Sequence, residues 1–87
     1  MSLSIVVPML NEATGIADAL RALHDLDAEL VAVDGCSSDK TVACATPHAN
    51  LLLEAARGRA RQMNAGAAVS TGETLLFLHA DTRLPSE

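Results

Sequence analysis

The sequence predicts a three-layer α/β domain: a four-stranded, mostly parallel sheet of order 3-2-1-4 with helices on both faces. Three observations carry that prediction. Short apolar runs rich in Val, Leu and Ile recur four times, and segments with helical spacing or helix-capping residues separate them. The runs are continuously apolar rather than alternating, as in strands covered on both faces. Right-handed crossovers then put the first two helices on one face and the third on the other. At 87 residues the chain is long enough for one such domain and too short for two.

Each element has its own local signal. Residues 3–7 are a β-branched run that Pro8, lacking an N–H for the ladder, is expected to stop. Asn11 or Thr14 is expected to cap a first helix reaching about Leu26, with Ile16, Ala19, Leu20 and Leu23 at helical spacing. Residues 30–33 form the second strand, ended by the polar turn Asp34-Gly35-Cys36-Ser37-Ser38. Ser38 or Asp39 caps a short second helix to about Ala45, which Pro47 prevents from continuing. Residues 51–53 are the third strand. An Ala-rich third helix covers 58–70, with Gly72 as its expected C-cap residue, and residues 74–78 are the fourth strand.

Composition narrows the function. The hydrophobic fraction is 49%, but most of it is Ala, Leu and Val, and Phe77 is the sole aromatic residue, so the core is thin. No run approaches the ~20 apolar residues of a membrane span, and no signal peptide precedes the first strand. The expected location is the cytoplasm, at the inner face of a membrane if the protein is longer. A net charge of −5 argues against nucleic acid as a partner. Cys36 and Cys44 lack redox or zinc spacing and read as reduced thiols; His24 and His48 read as surface residues. No closing element follows Pro85, and the chain reads as part of a larger protein.

The strand order reverses between strands 1 and 4, which opens a crevice at their carboxyl ends. Residues 8–12 and 79–81 flank it, and the turn at Asp34 lies alongside. His79 and Asp81 stand at i and i+2 of an extended segment, so imidazole and carboxylate share a face. They read either as a ligand pair or as a surface His beside a solvated turn residue.

Four stretches, "SIVVPMLNE", "VAVDGCSSDKT", "GRARQMNAG" and "GETLLFLHADTRLP", together resemble the successive motifs of family 2 glycosyltransferases of the GT-A fold. Their order and spacing match over nearly the whole chain. The resemblance implies a Rossmann-like nucleotide-binding half. It also implies transfer of a sugar from a nucleotide-diphosphate donor, a UDP-sugar first among them, with Mn²⁺ or Mg²⁺, to an acceptor the sequence does not name. It places Pro8, Asn11 and Glu12 around the base and ribose. Asn11 as a cap and Glu12 as a first-turn acid are compatible with that role. Asp34 matches the aspartate that the family sets on uracil, and the alternative is that it organises the turn. Arg57 and Arg61, four apart and on one helix face, are expected with Asn64 to meet the diphosphate or a base edge, while Arg59 is solvated. Asp81 matches the last aspartate of the family's metal motif, and His79 stands where its first aspartate is found. The general base of the family pattern lies beyond Glu87. Two other classes stay open: a nucleotide-binding module without chemistry, and a domain that self-assembles through strand 4, where Leu75, Leu76, Phe77 and Leu78 would face a second copy.

Overall fold

A computed structural model describes residues 2–78, and the four apolar runs pair in it as one parallel sheet. Its strands are β1 (Leu3–Met9), β2 (Glu29–Asp34), β3 (Leu51–Glu54) and β4 (Thr74–Phe77), in the order β3-β2-β1-β4. The predicted order is the observed one. Register runs Ser4↔Glu29 to Met9↔Asp34 between β1 and β2, and Leu3↔Thr74 to Val6↔Phe77 between β1 and β4. His79 and Asp81 lie outside the described residues.

Contrary to expectation, β1 runs through Pro8 instead of stopping at it. The reason is parity. The Val6 carbonyl accepts from the Leu78 amide, so Pro8, two residues on, turns its missing donor towards the β4 side, past the end of that strand. No ladder bond to β2 is lost.

The helices are α1 (Ile16–Ala22), α2 (Thr41–Ala45), followed by a 3₁₀ turn (Thr46–His48), and α3 (Arg59–Val69). The first of these is shorter than predicted at both ends. Asn11 is left-handed (φ 52°) and caps nothing; the N-cap is Gly15, without a side-chain bond. Beyond Ala22 the amides of Leu23, His24 and Leu26 each reach a carbonyl three residues back, so the coil tightens and ends. At α2 the N-cap position is Lys40, although the Asp39 carboxylate accepts the Thr41 amide at 2.9 Å from one residue earlier. Gly72 is not the C-cap of α3, which is Ser70 in extended backbone. Its own reason is contact: a Cβ there would stand 2.6 Å from Ser4 Oγ and 2.7 Å from Ser4 N.

Odd and even residues of β1 enter two cores. Ile5, Val7 and Met9 pack with Leu30, Ala32, Ile16, Leu20, Leu23 and Ala45, so α1 and α2 cover one face as expected. On the other face Val6, Val31 and Val33 meet Leu53, Ala55 and Ala65 beneath α3. That helix lies close because Gly66 faces the sheet; a Cβ there would come within 2.4 Å of Val6 Cγ1.

Candidate functional site

The carboxyl ends of β1 and β2 carry the polar loops, and side chains stitch them together. Asn11 donates its amide to Ser37 Oγ (2.8 Å), and its Oδ1 accepts the Ser38 amide (2.8 Å). Its left-handed backbone lets both bonds form, a conformation Asn tolerates better than most residues. The Glu12 amide donates to Thr41 Oγ1 (2.8 Å) and the Ala13 amide to Asp39 Oδ2 (3.3 Å). Asp39 also accepts the Thr41 hydroxyl, and chiefly that bond holds its carboxyl below the usual carboxylate range. These amides would have opened a longer α1; they are committed to the loop that follows β2 instead.

Asp34 is fully buried at the end of β2. Its two carboxylate oxygens accept the Ser37 amide (2.8 Å) and the Ser37 hydroxyl (2.5 Å). Here it organises the turn. Gly35 donates its amide to the Met9 carbonyl (2.9 Å), and Cys36 follows in the left-handed region at φ 66°.

Arg57 does not open the helix with Arg61, as its spacing predicts; it sits in the bend before α3. There Nε donates to the Gly35 carbonyl (3.4 Å) and Nη2 to the Cys36 carbonyl (3.3 Å). Arg59 and Arg61 are exposed on the first turn of α3, and the Arg61 stem passes close to Gly58. Asn64 is exposed two residues after buried Gln62, hence on the side of α3 away from the sheet. The fold therefore gathers Asn11, Glu12, Asp34 and Arg57 at one end, with Pro8 buried beneath, and leaves Asn64 outside that group.

Gln62 was not among the predicted site residues. It is 4% exposed, and its Nε2 donates to the Met9 carbonyl (3.0 Å) and the Val33 carbonyl (2.8 Å). One signal for it exists in the sequence: Gln62 and Gly66 are four apart, and so share the stripe of an Ala-rich helix that meets the sheet.

A separate open cavity of about 380 Å³ lies at the amino ends of the strands, lined by His24, Ala28, Leu30, Pro47, His48, Ala49 and Asn50. His24 and His48, expected simply at the surface, meet there: His24 Nε2 lies 3.0 Å from the His48 carbonyl, and their rings are 6.0 Å apart. It is remote from the polar loops. Among the described residues no group of three or more His, Cys, Asp or Glu side chains could hold a metal ion. No helix there is long and apolar enough to cross a membrane.

No curated protein matches the chain closely enough to count as a relative. Solved structures do. A mannosyltransferase from Pyrobaculum calidifontis, in complex with GDP-Man and Mn²⁺, is 26% identical with a TM-score of 0.83, and covers 97% of this chain and 28% of its own. Mannosyl-3-phosphoglycerate synthase from Rubrobacter xylanophilus is 25% identical with a TM-score of 0.82, over 99% of this chain and 32% of its own. Glucosyl-3-phosphoglycerate synthase from Mycobacterium tuberculosis, in complex with Mn²⁺, UDP and glucosyl-3-phosphoglycerate, is 25% identical with a TM-score of 0.76, over 92% and 33%. The chain thus spans about a third or less of the length of the structures it matches. The model of the family described as Glycosyl transferase family 2 matches residues 4–87. With four parallel strands in the expected order and polar loops gathered at their carboxyl ends, that match shows that the chain belongs to glycosyl transferase family 2.

Proposed function

We propose that residues 1–87 are the nucleotide-binding part of a cytoplasmic glycosyltransferase that takes a nucleoside-diphosphate sugar and a divalent cation. The observation that carries this reading is the convergence of Asn11, Asp34 and Arg57, from three separate segments, at the carboxyl end of the sheet. Asn11 and Glu12 would border base and ribose, and Asp34 would meet a base N–H once the Ser37 hydroxyl turns away. Arg61, exposed one turn from the loops, supplies charge for the diphosphate. Asn64 takes part only if the bound nucleotide reaches round α3. We propose that Asp81 with His79 would hold the cation, which prefers oxygen ligands and would draw the rest from phosphate and water. When bound, it would neutralise the diphosphate leaving group.

Relatives in complex with GDP-Man and with UDP keep both bases open, and UDP is the first donor nucleotide to test. Calorimetric titration with UDP and with GDP, each with and without Mn²⁺, is the direct experiment. Tighter binding in the presence of Mn²⁺ supports the reading, and Asp81→Ala should remove that enhancement alone. Equal affinity with and without metal overturns the cation assignment. Failure of both nucleotides to bind overturns the function.

A second reading has one observation in its favour. Leu75, Leu76 and Phe77 of β4 are 39%, 40% and 42% exposed, an apolar edge that suits pairing with a second copy of the chain.

A further inference from the structure

We infer that Gln62 is a positioning residue for the nucleotide site, fixing the Asp34 loop against the end of β1; the inference rests on the nucleotide-binding reading above. The register of β1 and β2 ends at Met9↔Asp34, where the two chains diverge into the polar loops. The Gln62 carboxamide bridges that point of divergence. Its two N–H hydrogens are used on carbonyls of different strands, Met9 at 3.0 Å and Val33 at 2.8 Å. Its Oε1 accepts the Gly58 amide at 3.4 Å, which ties in the turn that carries Arg57.

The same amide forms the floor of the Asp34 loop. A Cβ on Gly35 would stand 2.8 Å from Gln62 Oε1 and 2.9 Å from its Cδ, so the loop backbone rests directly on the carboxamide. Arg57 holds the same stretch of backbone through the Gly35 and Cys36 carbonyls. One turn further along α3, contact with the sheet is made by Gly66 and Ala65, without a polar group. The one buried polar side chain of α3 thus lies under the loop bearing Asp34. A residue that served only to seat the helix could be apolar there. What an apolar residue could not do is set the distance between β1, the Asp34 loop and the Arg57 turn.

Three variants of the full-length protein test this by UDP and GDP titration with Mn²⁺, alongside urea melts. Gln62→Met keeps the volume and removes the donors. Gly35→Ala pushes on the carboxamide from the loop side. Gly66→Ala strains the α3 seat without touching the loop. Misplacing the loop should weaken the preferred nucleotide roughly tenfold or more in Gln62→Met and Gly35→Ala. Gly66→Ala should lower the melting midpoint while the folded protein keeps wild-type affinity. Should Gln62→Met not fold, Gly35→Ala decides alone. Wild-type affinity in the folded loop-side variants overturns the inference, as does an equal loss in Gly66→Ala. A wild-type protein that binds neither nucleotide overturns instead the reading on which the inference rests.

Discussion

Both carboxylate oxygens of Asp34 are engaged by Ser37, so removing this side chain acts first on the loop itself. Asp34→Ala leaves the half-buried Ser37 amide and hydroxyl proton without their acceptor, at a cost of about 1 kcal/mol. Under the proposed function it also narrows the difference between UDP and GDP affinities. Thermal melts read the first effect and calorimetry the second; a stability loss with undiminished base discrimination would confine Asp34 to the turn. Glu29, at the other end of β2, gives a pH-dependent case. The Thr71 amide (3.0 Å), then the Ser4 hydroxyl (2.8 Å), hold its carboxyl below the ordinary glutamate range. A lowered folded pKa means the stabilisation is complete above the ordinary glutamate pKa and disappears as the pH falls through the lowered value. Glu29→Gln should therefore destabilise at neutral pH, and urea midpoints of the two proteins should converge on acidification. The resemblance of the motifs marked Asn11 and Asp34, and Arg57 stood out as part of an arginine run in an otherwise acidic chain, although it was expected on the helix rather than in the bend before it. The bonds that hold the loops together were not legible: Asn11 meets Ser37 across 26 positions, Arg57 meets Gly35 across 22, and Gln62 meets Met9 across 53.

Glycines decide how closely the elements approach. Gly66→Ala would gain about 1 kcal/mol of helix propensity. Against that stands a Cβ 2.4 Å from Val6 Cγ1 and 3.0 Å from Val33 Cγ2, in a core with no flexible side chain to yield. Overpacking of this kind costs about 1–3 kcal/mol, and the depth of the overlap favours the upper part, so the net effect is a loss. For a domain this small, each kcal/mol lowers Tm by about 4–8 °C, which a thermal melt resolves; an unchanged or raised Tm would show that α3 can lift from the sheet. The same physics separates what sequence pattern reveals from what it conceals. The strand order is the usual one of a doubly wound sheet, and strand and helix alternation and the two faces followed from apolar runs and crossover handedness. The end of β1 did not, because whether Pro8 breaks a strand depends on which neighbour its missing donor faces. Nor did Gly72, whose small size answers to Ser4 in a strand some seventy residues earlier.

At the scale of the whole molecule, the two cores leave β4 the least covered strand. If a second copy pairs along it, light scattering will show mass rising with concentration, and Phe77→Lys, placing a charge on the edge, will shift the equilibrium towards monomer. A concentration-independent monomer would remove this reading. The topology also bears on synthesis. Of the four strands described, β1 is made first and lies between β2 and β4, and these two neighbours arrive at very different times. Pairing with β2 can begin after some thirty residues, but Ser4 must wait for Leu75. At about 5–20 residues per second, that is a delay of several seconds with one side of the innermost strand open. The nascent chain therefore depends on α1, α2 and the β2 pairing to shield its core until β4 emerges. Changes that weaken that early half should reduce yield in the cell more than their effect on the finished protein would suggest.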